Sequence, residues 1–192
     1  MTSYNPKWGT LFLLIGNSGS GKDSLIKWVV KAWPSTKLPP IVPTRLITRP
    51  PSPRTETFRS ISIEEFQDLL KAGALSLYWK SYGINYGVRI EIETALAQGR
   101  SVLVNVSRQI VEETRHRFPK VCVIFIKVPF HIIKARLSAR GREHGIDLEE
   151  RIERAQHNQN FPSADYVIDN SGELHNAGQQ LLNLLLKHCS NP

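Results

Sequence analysis

The stretch GNSGSGKDS, Gly16 to Ser24, has the glycine and lysine spacing of a loop that surrounds phosphate groups. Gly16, Gly21 and Lys22 satisfy G-x-x-x-x-G-K, in which backbone N–H groups cradle a nucleotide's phosphates and the lysine adds a point charge on the β- and γ-phosphates. Gly19 supplies a further turn, and Asn17, Ser18 and Ser20 complete the loop. The next position of the pattern carries a hydroxyl for Mg2+; here it is Asp23, and Ser24 follows one residue late. One residue along a helix turns a side chain by slightly more than a quarter turn, so Ser24 does not take over the missing position. Two readings of Asp23 stay open: a carboxylate that helps hold Mg2+ beside ATP, and an acid placed at a helix start by the helix dipole.

A second group of cations lies far along the chain. Arg136, Arg140, Arg142, Arg151 and Arg154 bracket a glycine-bearing turn, ARGREHG. Phosphoryl transfer needs cations that close on the charge spread over the transferring group, and Arg140, Arg142 and Arg151 are placed for it. Arg136 and Arg154, with glutamates at helical spacing, read as members of a solvated amphipathic helix. A third group is Arg45 and Arg49 with Asn105, Ser107 and Arg108, which together could hold one or two substrate phosphates through forked, charge-assisted bonds. Taken singly, each is equally a loop-solvating residue or a cap. Tyr78, Trp79, Tyr82 and Tyr86 read as core or hairpin packing, and His131, His144 and His157 as surface residues without metal-ligand spacing. Cys122 reads as buried filler and Cys189 as an incidental surface thiol.

These groups need a frame. TLFLLIG is a short apolar run ending at glycine, a buried strand, and KDSLIKWVVKAW repeats apolar residues at helical spacing. Strand, glycine-rich turn and helix are the setting a phosphate loop requires. IVPTRLITRP reads as a second strand with Arg45 and Arg49 at its C-terminal end, where open α/β sheets place ligands, followed by a loop, RPPSPRTETFRS. SIEEFQDLLKAG carries a Ser-x-x-Glu helix start and a glycine stop, ALSLYWKSYGINYGV suggests strand or hairpin, and RIEIETALAQG is helical. SVLVNVS and VCVIFIKV read as central parallel strands, PFHIIKARLSARGREHGIDLEERIERAQHNQ as two helices, DYVID as a strand, and Glu173 to Lys187 as the last helix. The alternation predicts an α/β chain of three layers around a central parallel sheet, the P-loop NTPase fold.

A chain of 192 residues that is 41% hydrophobic and 22% charged is one ordinary globular domain, not a disordered segment. Its net charge of +8 favours polyanionic partners. Because the arginines gather beside loop signals rather than in a tail, the expected partner is a small molecule carrying several phosphates, neither nucleic acid nor membrane. The early apolar run Leu11 to Ile15 is too short for a signal peptide or a membrane span, so a cytoplasmic protein is expected.

The order of GNSGSGKDSL, TRP, YGINYGV, RGRE and ERIERA resembles the guanylate-kinase-like proteins, from roughly Leu11 to Leu186. The closer likeness is to the ribose 1,5-bisphosphate phosphokinases of phosphonate degradation, carried by GKDS, ITRP, EIE after YGV, VLVN with SR, and RGRE. The strand ending near Asn105 lacks the acids with which guanylate kinases read guanine. Val106 stands where the family has glycine, and PPSPRTETF differs from the usual stretch. The resemblance implies one P-loop kinase domain over 1–192, with an acceptor-binding insert at about 45–87 and an arginine lid at about 138–150. It implies that Gly16 to Ser24 and Arg142 bind ATP with Mg2+, and that Lys22, Arg140 and Arg151 stabilise the transferring group. It further implies that Arg45, Arg49, Glu56, Tyr86, Asn105, Ser107 and Arg108 line the acceptor side. The implied reaction converts ribose 1,5-bisphosphate to 5-phosphoribosyl 1-diphosphate. A guanylate or other nucleoside monophosphate kinase is the first alternative, and a non-catalytic binding module the second.

Overall fold

A computed structural model describes residues 8–50, 58–140 and 146–189. In chain order the elements are β1 (Leu11–Ile15), α1 (Lys22–Ala32), β2 (Arg45–Ile47), β3 (Phe58–Ser60), α2 (Ile63–Lys71), β4 (Leu75–Ser81), β5 (Ile84–Arg89), α3 (Glu91–Ala97), β6 (Val102–Asn105), α4 (Val111–Arg117), β7 (Val121–Lys127), α5 (Phe130–Arg140), α6 (Ile146–His157), β8 (Tyr166–Asp169) and α7 (Leu174–His188). Two four-stranded sheets form, in the orders β6-β1-β7-β8 and β3-β2-β5-β4. The first is the central parallel sheet. Every residue of β1 and β6 is buried, as continuous apolar runs in a sheet covered on both faces must be.

The chain divides into two compact units, Met1–Leu13 with Pro39–Val121, and Leu14–Leu38 with Cys122–Pro192. In the first, β4 and β5 form a hairpin with Ser81 opposite Ile84, and β5 pairs antiparallel with β2. Beneath it α2 packs Phe66 against Leu46, Ile61 and Leu75. Ser62 starts α2 by accepting the N–H of Glu65 on its hydroxyl at 3.0 Å, which satisfies one of the donors a helix start leaves open.

The segment IVPTRLITRP does not form one strand. Ile41 alone bridges in parallel to Val102, and after Pro43 the residues Arg45–Ile47 join the second sheet instead. Proline has no N–H to continue a ladder, so the run is cut there. Arg45 therefore opens β2 and Arg49 lies beyond it; neither ends a strand of the parallel sheet. Phe58–Ser60, expected as loop, forms the edge strand β3, parallel to β2.

In the second unit β7 and β8 run parallel, with Ile124 opposite Tyr166 and Lys127 opposite Asp169. Val128, Ile133 and Leu137, with Ala155 from α6, form a buried cluster that Leu148 and Ile152 complete. The apolar face of α6 thus seats it on α5.

Candidate active site

The glycine-rich loop leaves β1 at Gly16 and enters α1 at Gly21. Gly16 adopts φ 151°, and a Cβ there would stand 2.7 Å from the carbonyl oxygen of Ile126. Gly21, the N-cap of α1, adopts a left-handed φ of 88°, and a Cβ there would collide with Nδ2 of Asn170. Both positions exclude side chains for backbone and packing reasons at once. The first N–H groups of α1 have no acceptor within the helix, which makes its start electropositive.

Lys22 curls back over the loop. Its Nζ donates to the carbonyl of Gly16 at 2.7 Å and of Asn17 at 2.9 Å, with the Ser20 hydroxyl at 3.4 Å. The ammonium is held at the centre of the loop, where a phosphate oxygen would compete for it. Asp23 is half-buried in the first turn of α1, and Ser24, one position on, is exposed.

The loop is clamped from two sides within its unit. Asn17, nearly buried, donates Nδ2 to the carbonyl of Ala155 at 3.2 Å and of Asn158 at 2.9 Å, both at the C-terminal end of α6. Arg151 of α6 donates to the Ser18 hydroxyl at 3.1 Å. From the other side Asn170, just after β8, donates Nδ2 to the carbonyl of Ser20 at 2.7 Å. The carbonyl of Asn170 accepts Arg136 at 3.0 Å. Arg136 is therefore bound to the backbone after β8 instead of to a glutamate on a solvated helix. Asp169 shapes the turn by accepting the N–H of Ser171 at 2.8 Å. The hydroxyl and N–H of Ser171 hold its carboxyl below the usual carboxylate range.

Arg140 is the last residue of α5. Arg142, His144 and Glu56 lie outside the described residues. Asn170 and Arg136 were missed as site residues. The signal for Asn170 was present: it follows the C-terminal end of a parallel strand, where α/β sheets present loops to ligands.

The remaining candidates lie in the first unit. Arg45, half-buried, opens β2; Arg49, also half-buried, places its guanidinium 5.0 Å from the centre of the Phe58 ring, and its carbonyl accepts Ser60 Oγ at 2.6 Å. Tyr86 faces Trp79 across the hairpin, their rings stacked at 5.3 Å and 2°. Asn105 ends β6 and is buried, as is Val106. Ser107 caps the 3-10 turn Arg108–Ile110 by accepting the N–H of Gln109 at 3.3 Å.

A buried parallel strand, a glycine turn folded around a lysine and a helix start without a capping side chain define a P-loop nucleotide-binding protein. The guanylate kinase family profile matches residues 9–188. A relative from Thiobacillus denitrificans, ribose 1,5-bisphosphate phosphokinase PhnN, is 38% identical over 92% of this chain and 93% of its own length. Proteins of the same name from Psychromonas ingrahamii and Azotobacter vinelandii are each 35% identical over 94% of this chain, and over 91% and 98% of their own lengths. Among solved structures, guanylate kinase from Anaplasma phagocytophilum superposes with a TM-score of 0.67 at 18% identity, covering 96% of this chain and 88% of that one. A sugar kinase from Janibacter sp. HTCC2649 superposes with a TM-score of 0.52 at 15% identity, covering 94% and 95%. The chain belongs to the guanylate kinase family and, within it, to the ribose 1,5-bisphosphate phosphokinases.

Proposed function

We propose that the protein moves the γ-phosphoryl group of ATP onto the 1-phosphate of ribose 1,5-bisphosphate, giving 5-phosphoribosyl 1-diphosphate and ADP. The observation that carries the transfer chemistry is that two cations converge on adjacent loop residues: Lys22 on the carbonyl of Asn17, and Arg151 on the hydroxyl of Ser18. The acceptor's identity is supported by the relatives' name and by the absence of an acid at the end of β6, where Asn105, Val106 and Ser107 stand.

An oxygen of the 1-phosphate is already ionised when it attacks, so the reaction requires no general base. The new bond joins that oxygen to the γ-phosphorus, the bond to the β-phosphate oxygen breaks, and ADP leaves with the electron pair. Catalysis then reduces to alignment and charge neutralisation. In this reading the loop N–H groups and Lys22 hold the β- and γ-phosphates. Arg142 adds to ATP binding, and Arg140 and Arg151 neutralise the transferring group. The insert at about 45–87 with Asn105, Ser107 and Arg108 holds the acceptor, through Arg45, Arg49, Glu56 and Tyr86.

Mg2+, when bound, neutralises charge between the β- and γ-phosphates. Asp23, a hard carboxylate in the first turn of α1 beside the phosphate loop, is the residue that would serve as its protein ligand, with phosphates and waters completing the shell. Among the described residues no helix is long and apolar enough to cross a membrane. We place the protein in the cytoplasm, beside its ATP.

Phosphorus NMR tests the reaction. Incubation with Mg-ATP and ribose 1,5-bisphosphate is expected to replace the 1-phosphate signal with a pair of coupled diphosphate signals; a persistent 1-phosphate signal with unconsumed ATP would contradict it.

A further inference from the structure

Asn17 serves two elements at once. Its carbonyl accepts Lys22 Nζ at 2.9 Å, while its side-chain amide donates to the carbonyls of Ala155 and Asn158. The last carbonyls of a helix have no N–H partner within it, so an amide arriving from another segment acts as a cap on α6. Gln159 Nε2 also reaches the Ala155 carbonyl. Arg151 and Ala155 are four residues apart, on one face of α6. They meet adjacent loop residues, Ser18 and Asn17.

α6 also rests on the apolar cluster with Val128, Ile133 and Leu137. Apolar contact is non-directional and resists sliding or rotation of a helix only weakly. The Asn17 amide adds directional bonds at the end of the helix.

We propose that Asn17 is a positioning residue: by capping the C-terminal end of α6 it fixes the rotation of that helix and holds Arg151 over the phosphate loop before substrates bind. This rests on the reading of Arg151 as a cation of the transfer step. A residue without a donor at this position leaves the loop intact but lets Arg151 wander, and displacements on the order of 1 Å cost up to about a hundredfold in rate.

The test is a double-mutant cycle on the full-length enzyme. Asn17→Ala and Asn17→Leu, the second close in volume and uncharged but lacking the donor, are each expected to lower kcat about tenfold or more, a larger change than in KM for ATP. In an Arg151→Ala background, Asn17→Ala is expected to cost less than about twofold further, because the residue it positions is gone. Hydrogen exchange of the α6 amides is expected to speed up in Asn17→Ala with α7 unchanged, which separates a released helix from a misfolded protein. A loss that multiplies fully in the Arg151→Ala background, or unchanged kcat in both Asn17 variants, overturns the positioning role and leaves Arg151 as it was. Full kcat in Arg151→Ala alone overturns the reading of Arg151, and the proposal with it.

Discussion

The side-chain amide of Asn170 donates to the carbonyl of Ser20 at 2.7 Å, joining residues 150 positions apart in the chain. This bond fixes the last turn of the phosphate loop before α1, and its donor lies 2.4 Å from where a Cβ on Gly21 would stand. Asn170→Ala leaves a buried carbonyl without its donor and is expected to cost about 1–3 kcal/mol of stability. In a chain of this size that lowers Tm by roughly 2–4 °C per kcal/mol. Thermal unfolding followed by circular dichroism measures it; an unchanged Tm would show that the bond does not support the loop.

Lys22 Nζ is bonded to the loop carbonyls of Gly16 and Asn17 and to the Ser20 hydroxyl, at the surface of the loop and not in the apolar core. Lys22→Ala is therefore expected to lower kcat by about a hundredfold or more, with Tm close to that of the parent. Steady-state ADP release checks the first and calorimetry the second, and full turnover in this variant would remove the lysine from the mechanism.

Asp23 separates its two readings through the metal. If it ligates Mg2+, Asp23→Ser shifts the Mg2+ concentration for half-maximal rate and alters the response to Mn2+. A variant whose metal titration overlays the parent's shows that the carboxylate serves only the start of α1, where an acid favours the helix dipole.

Asp169 predicts a feature of the acid limb. Its carboxyl is held below the ordinary value near 3.9 by Ser171, so it binds its proton more weakly folded than unfolded. The stabilisation is present above about pH 4 and is lost as pH falls through the lower folded value. Asp169→Asn is expected to flatten the stability profile below about pH 4 and to leave it parallel to the parent's at neutral pH. Chemical denaturation across pH 2.5–7 shows it, and identical acid limbs would exclude the Ser171 turn as a contributor.

What could be read from sequence was local and periodic. The unbroken apolar run of β1, the Ser62 cap three residues before Glu65 and the period-two hairpin from Leu75 to Arg89 each state their structure in adjacent letters. The glycine and lysine spacing of the phosphate loop was legible as a motif, and Arg151 and Asn105 stood out as candidates; in the structure Arg151 meets Ser18 and Asn105 is buried at the end of β6. The cut at Pro43 was legible in principle, since a prolyl nitrogen cannot continue a ladder, yet the residues on either side of it share one apolar pattern. The clamps on the loop were not legible. The bonds of Asn17, Asn170 and Arg136 reach across 141, 150 and 34 residues to main-chain oxygens, which every residue type carries. No spacing in the sequence marks such an acceptor.

The central claim is that the phosphoryl group goes to a sugar bisphosphate and not to a nucleotide. Coupled ADP release with Mg-ATP, measured in parallel on ribose 1,5-bisphosphate and on GMP, tests it most directly. The account predicts turnover with ribose 1,5-bisphosphate and a kcat/KM for GMP lower by at least about a thousandfold, since a site without the purine's partners forgoes that binding energy. Efficient turnover of GMP with none on ribose 1,5-bisphosphate would contradict it.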